Sequence, residues 1–255
     1  MKYTVMTFNI NGYEKMHNIP EEAINPDIEY LYITDYHSIT SDTWTVIYED
    51  NLTGSTFDKV FQIRYNPFKY AHTDVVMKID GSMGLVKDVM PIFKAFDEGN
   101  YDAAVMIHPT RNQMVSEYQA WVHQRQYPVE QANKCISTLL HNDYDMSYKG
   151  LYQYNFMIQR NNDMNNAWNS ATYETLQKLA PEGDTVDRLD QTIGSFILNK
   201  FFSNSKIMPV GQYICNGVFF NWYVHNTERA MICDDRNNIE PFLFNRPCSL
   251  VYLWP

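Results

Sequence analysis

Two apolar runs in this chain end on an acid, and they are the first places where chemistry could sit. "DVVMKIDGS" (74–82) closes on Asp80, followed by the small residues Gly81 and Ser82, and "DIEYLYITD" (27–35) closes on Asp35. A carboxylate with room beside it can hold a hard divalent cation, which takes oxygen ligands, keeps several waters and bridges substrate phosphates. A strand-end Asp before Gly is equally ordinary turn chemistry, so spacing alone leaves both readings open. Just upstream, "RYNPFKY" (64–70) carries Arg64 and Lys69. Arg can grip a phosphate through its planar fork and Lys can act as a point charge; the alternative is a pair of solvated surface charges. "HPTRNQMVSEYQAW" (108–121) places Arg111 in a loop, then Glu117 four residues before Trp121. That spacing shares one helix face, and an acid beside an indole suits a sugar; a surface Glu beside a core Trp fits as well. "DRLDQTIGSF" (187–196) sets Asp190 next to Gln191, an acid and an amide able to position a hydroxyl or take its proton. Alternatively, Asp187 caps a helix and Asp190 faces solvent. His225, in "NWYVHNT", is a late metal-ligand candidate, although a lone His is more often structural. No GxSxG, HExxH, Walker-type or GxGxxG pattern occurs.

These residues need elements to position them. "YTVMTFNI" (3–10), "IEYLYITD" (28–35), "WTVIYE" (44–49), "DVVMKID" (74–80) and "DAAVMIH" (102–108) read as strands. The run at 74–80 is nearly continuously apolar, as in a parallel sheet covered on both faces. "FQIRYNPFKYA" (61–71) reads as a strand or a short helix broken at Pro67. "GSMGLVKD" reads as a turn leading into a helix capped by Asp88, with Pro91 in the first turn, where a missing N–H costs little. Segments 113–126, 129–143, 166–180 and 187–202 read as helices, and 151–160 as an alternating strand. After 202 the chain reads as irregular, with 211–225 the best late strand. Strands alternating with helices define an α/β class, and in open α/β sheets ligands bind outside the carboxyl ends of strands.

Composition narrows the partners. The 255 residues include 20 Lys and Arg against 30 Asp and Glu, a net charge of −10, so no broad basic surface is available for nucleic acid or anionic membrane. A nucleotide stays within reach, because one Arg, Lys or metal ion can neutralise a diphosphate. No stretch approaches the roughly 20 apolar residues of a membrane span. The N-terminus lacks a charged region followed by a long apolar one, so a cytoplasmic location is expected. Cys135, Cys215, Cys233 and Cys248 are far apart and form no CxxC pair, which argues for reduced thiols and against zinc. With 19 Tyr and 5 Trp there is ample material for stacking on sugars or bases, or simply for a core.

Taken in order, several segments are similar to a known family. "FQIRYNPFKYAHTDVVMKIDGSM", "RNQMVSEYQAW", "GLYQYNFMIQRNN" and "RLDQTIGSFIL" resemble successive motifs of glycosyltransferase-like proteins of the GT-A superfamily, known from plants and bacteria and distantly glycogenin-like. The likeness spans about residues 60–200, with a vaguer match over "DIEYLYITD". It implies a GT-A-like fold: a Rossmann-like, mixed, mostly parallel central sheet flanked by helices, one domain over 1–255. It further implies a nucleoside-diphosphate sugar donor, Mn²⁺ or Mg²⁺, and a hydroxyl acceptor on a glycan or another molecule. By the same resemblance, Asp35, Arg64, Lys69, Asp80, Gly81 and Arg111 would bind the donor and Asp80 with His225 the metal. Asp190 with Gln191, then Glu117, would act on the acceptor. Two departures stand out. Asp80-Gly81-Ser82 occupies the place of an Asp-x-Asp metal motif, and Lys78 that of a Trp. The missing acid motivates an alternative, a non-catalytic binding relative of the same fold. A sugar nucleotidyltransferase is a further alternative, for which "NINGYEK" is a poor Gly-rich loop. Assembly of surface polysaccharide is the setting the resemblance suggests.

Overall fold

A computed structural model describes residues 2–108, 111, 113–124, 128–141, 150–179, 190–202, 206–215, 217–223 and 230–231. Its centre is a seven-stranded sheet in the order β3-β2-β1-β4-β7-β6-β8. The strands are β1 (Tyr3–Asn9), β2 (Ile28–Thr34), β3 (Thr45–Tyr48), β4 (Val75–Ile79), β6 (Ala103–Ile107), β7 (Tyr152–Arg160) and β8 (Ile207–Val210). All neighbouring pairs are parallel except those that β7 makes with β4 and β6. A second sheet joins β5 (Met83–Leu85), β9 (Phe220–Tyr223) and β10 (Ala230–Met231). This is the mixed, mostly parallel, helix-flanked α/β architecture expected from the sequence.

Alternation along the strands builds two apolar layers. Val5, Val75, Met77, Ile79, Phe156 and Ile158 face one side and pack on helix α2 (Met90–Glu98) through Ile92, Phe93 and Phe96. On the other side Met6, Phe8, Leu31, Ile33 and Val76 meet α1 (Thr56–Arg64) at Ile63. There also, Val105 and Met157 meet Trp168 of α5 (Asp163–Leu179) and Ile193 and Ile197 of α6 (Asp190–Phe201). The remaining helices are α3 (Met114–Gln124) and α4 (Val129–His141).

The topology fixes where a ligand would sit. The chain places β2 and β3 on one side of β1, then crosses through α1 to put β4 on the other side. The reversal falls between β1 and β4, and the crevice outside their carboxyl ends is the usual ligand position of an open α/β sheet. Asp80 follows β4 directly.

Of the two readings of 61–71 the short helix holds, and several other local expectations need correction. The segment 61–71 is helical up to Arg64, because Ser55 and Asp58 form a capping box that starts α1: Ser55 Oγ accepts from the Asp58 N–H at 3.2 Å, and Asp58 Oδ2 from the Ser55 N–H at 3.0 Å. Pro67 then opens a single 3₁₀ turn. Residues 83–85 form β5 instead of leading into a helix. Met83 and Leu85 are buried, and β5 pairs antiparallel with β9. Asp88 accepts from the Met90 N–H at 2.8 Å, but it lies one residue before the N-cap Val89. β7 is buried almost throughout instead of alternating, since it lies between β4 and β6 with both faces covered. The stretch read as irregular contains β8, whose Pro209 is tolerated because the strand is at the sheet edge.

The contact of α6 with β7 depends on Gly194. A Cβ there would lie 2.4 Å from Tyr154 Cε2 and 2.9 Å from its hydroxyl, so a side chain must push the helix away. Gly194→Ala is expected to lose about 1–3 kcal/mol, the usual overpacking cost, read as a lower urea midpoint with an unchanged slope. An unchanged midpoint would show that helix and strand separate freely.

Candidate functional site

Three segments meet at the carboxyl end of β4. Period-two alternation puts Val76, Lys78 and Asp80 on the same side of the strand, towards α1, α5 and α6. Arg64, the last residue of α1, reaches across. Its Nη2 donates to Asp80 Oδ1 at 2.6 Å, and its Nη1 donates to Asp190 Oδ2 at the start of α6. The side chains of Arg64 and Asp190 are 11% and 6% exposed, whereas Asp80 retains 30%. The guanidinium also lies over the Phe8 ring, 5.4 Å from its centroid. Two carboxylates thus share one guanidinium.

Backbone geometry places Asp80. Its N–H donates to the Asn155 carbonyl at 2.9 Å and its carbonyl accepts from the Met83 N–H at 2.9 Å, closing the turn. Turn formation therefore uses the Asp80 main chain and leaves the carboxylate for Arg64. Gly81 is required by close approach, since a Cβ there would lie 2.8 Å from the Phe8 carbonyl oxygen. Ser82, where a second acid was expected, is buried, and its carbonyl accepts from the Tyr223 N–H at 2.8 Å.

The charges respond to this burial. Desolvation works against the Arg64 charge, but Asp80 and Asp190 outweigh it and raise its pKa above the ordinary value. Burial, with the nearby Asp80 charge, pushes the Asp190 carboxyl up, while Arg64 and the Gln191 N–H pull against that rise. Lys78 is fully buried by the same cluster, and burial followed by the Arg64 charge holds its amine well below the usual lysine range. Burial and the Asp190 charge raise the Tyr65 hydroxyl.

The site also collects unused polar atoms. Arg64 Nε, the Tyr65 hydroxyl, both side-chain atoms of Asn155 and Gln191 Oε1 are buried without a hydrogen-bond partner among the described residues. Each such group costs about 1–3 kcal/mol if nothing satisfies it, so their concentration here marks a place where polar ligand groups would be accommodated.

The other candidates sit in pairs of their own. Asp35 accepts from the Asn11 N–H at 2.7 Å and from Lys59 Nζ at 2.9 Å, tying the loop after β1 to α1. Lys69 is about half exposed and bonds Glu49 Oε2 at 2.5 Å. Glu117 is not a surface residue: its side chain is fully buried, 2.7 Å from Arg111 Nε, and the Arg111 N–H donates to His108 Nδ1 at 3.1 Å. Arg64 is not a solvated charge and Asp190 does not face solvent. His225 lies outside the described residues. Among the described residues, no group of three or more His, Cys, Asp or Glu is arranged to hold a metal ion. No helix of the described residues is long and apolar enough to cross a membrane.

Sequence reasoning singled out Arg64, Asp80 and Asp190 but not their union, and it missed Tyr65 and Asn155 as neighbours. A visible signal was polarity inside apolar strands: Lys78 within "VVMKI" and Asn155 within "YNFMI".

No family model and no curated protein matches this sequence. Among solved structures, the apo crystal structure of mouse Xyloside xylosyltransferase 1 is similar at 9% identity, over 83% of this chain and 86% of that chain, with a TM-score of 0.46.

Two expectations follow from the charges. Arg64→Met removes the guanidinium from between buried Asp190 and Asp80, and is expected to cost about 3–5 kcal/mol in urea unfolding. Adding Asp190→Leu should recover part of the loss, and a cost near zero for Arg64→Met would mean that the clamp contributes no stability. For Asp35, burial opposes the charge, but the Asn11 N–H and Lys59 hold the carboxyl below its ordinary 3.8. Its stabilisation is therefore complete above that value and lost as pH falls through the lowered folded-state pKa. Wild-type Tm should drop more steeply on acidification below 3.8 than that of Asp35→Asn; parallel curves would remove Asp35 from the account.

Proposed function

We propose that this protein is a glycosyltransferase that moves a sugar from a nucleoside-diphosphate sugar to a hydroxyl of a glycan or other acceptor, in the assembly of surface polysaccharide. The observation that carries the reading is the Arg64 bridge. It unites Arg64 and Asp80 of one family-like segment with Asp190 of another, at the carboxyl-end crevice of the sheet.

The chemistry suits that cluster. Breaking the sugar–phosphate bond leaves charge on the diphosphate, and a fixed guanidinium in a water-poor site stabilises charge as it develops. Asp190, adjacent to Gln191, is the group for the acceptor hydroxyl: a carboxyl whose pKa is raised by burial is a better proton acceptor than an ordinary one. Glu117 is the second choice for that role, but it is fully buried against Arg111. The unused carboxamide of Asn155 offers both a donor and an acceptor to sugar hydroxyls. Asp35, Lys69, Gly81 and Arg111 complete the proposed donor contacts.

Mn²⁺ or Mg²⁺ would be held at Asp80, the most exposed carboxylate of the cluster, with phosphate oxygens and water in the remaining positions. His225 is the proposed second protein ligand. When bound, such a cation would neutralise the leaving diphosphate.

A second reading, a non-catalytic nucleotide-sugar or glycan binder, is favoured by one observation. Arg64 occupies both acids, and a buried Ser82 stands where another acid would be needed.

Thermal unfolding with a panel of nucleoside diphosphates and sugar nucleotides, with and without Mn²⁺, tests the proposal. A ligand at a hundred times its Kd adds about 2.7 kcal/mol, a rise of several degrees in Tm. Asp80→Asn should abolish the metal-dependent part. Free sugar released slowly from a responding donor marks the transferase; binding without release marks the silent relative. A protein indifferent to every nucleotide would overturn the transferase and the nucleotide-sugar binder alike.

A further inference from the structure

We propose that Lys78 is a positioning residue for Arg64: by holding the carbonyl of that residue, it fixes the guanidinium between Asp80 and Asp190. Lys78 is 3% exposed, in the middle of the central sheet, where a side chain is normally apolar. Its Nζ donates to the Arg64 carbonyl oxygen at 2.7 Å. Arg64 ends α1, so its carbonyl is one of those that a helix leaves without an internal partner. The amine is also 5.9 Å and 5.8 Å from the ring centroids of Tyr65 and Trp168, two aromatic walls in edge contact with each other at 6.2 Å.

The consequence comes from the strand geometry. Lys78 and Asp80 are two residues apart and on the same side of β4. Lys78 holds the main chain of Arg64 and Asp80 holds its side chain. One short piece of strand thus grips the same residue at both ends, leaving the guanidinium little freedom to swing away from Asp190. An apolar side chain would fill the same space without the cost of burying an amine. Lys78 is therefore a residue whose placement favours the geometry of the clamp over the stability of the core. Its effect on donor binding rests on the glycosyltransferase reading, whereas its hold on Arg64 does not.

The test is Lys78→Met, which keeps the length of the side chain and removes the amine. The intact protein is treated with phenylglyoxal, an arginine-specific reagent, and labelling at each arginine is followed by peptide mass spectrometry. Arg160, held by Asp97 and the Tyr101 carbonyl, is the internal reference. Labelling of Arg64 should accelerate about five- to tenfold, the factor that accompanies loss of one ordinary hydrogen bond, with Arg160 unchanged. Lys78→Gln, whose amide can still donate, should fall between wild type and Lys78→Met. If Arg64 and Arg160 accelerate together, Lys78 merely supports the fold and the proposal is wrong; it is equally wrong if neither changes. A wild-type protein that ignores the whole panel of nucleoside diphosphates and sugar nucleotides, with and without Mn²⁺, would remove the glycosyltransferase reading and leave the labelling result standing.

Discussion

Arg64 donates to Asp80 with one nitrogen and to Asp190 with another, and much of the carboxyl-end architecture is arranged so that these three groups can meet. The capping box at Ser55 sets where α1 begins, and nine residues later the helix ends on Arg64. The turn after β4 uses the Asp80 backbone, and the carboxylate goes to Arg64. Gly81 lets that turn lie against the Phe8 carbonyl, and Gly194 lets α6 lie against Tyr154, bringing Asp190 within reach. None of these contacts is strong alone. Together they hold a buried cation against two anions, which in isolation is costly to take out of water.

The clamp leaves polar groups without hydrogen-bond partners among the described residues. Two acids face one guanidinium, and the Asn155 carboxamide, Tyr65 hydroxyl and Gln191 oxygen have no described partner. A core built for stability alone would fill this region with apolar groups. The polarity is concentrated where β1 and β4 diverge, at the position where open sheets bind ligands. Asp35 and Lys59 repeat the theme at β2 on a smaller scale, an acid and a cation securing the loop after β1.

Much of the scaffold was legible in the chain. β1, β2, β4 and β6 follow from short β-branched and apolar runs, and α5 and α6 from helical periodicity. The failures have specific causes. β5 is three residues long and gains its partner, β9, from over a hundred residues away, so no local pattern marks it. β8 contains Pro209, which signals a break unless the strand is known to lie at an edge. β7 alternates in residue type but not in burial, because only the assembled sheet covers both its faces.

The site divides in the same way. The sequence by itself determined which groups were available: acids closing apolar runs, an Arg near a proline, an Asp-Gln pair opening a helix, and one acid where two were expected. Only the tertiary structure decided which of them touch. Arg64 and Asp190 are separated by 126 positions, and no spacing rule reaches so far. It also decided between the environments left open: Asp190 and Glu117 are buried and Arg64 is only 11% exposed, whereas Lys69 stays half exposed as a surface charge. Local sequence sets the identity and periodicity of side chains, whereas burial and ion pairing depend on strands and helices that meet only when the sheet closes around them.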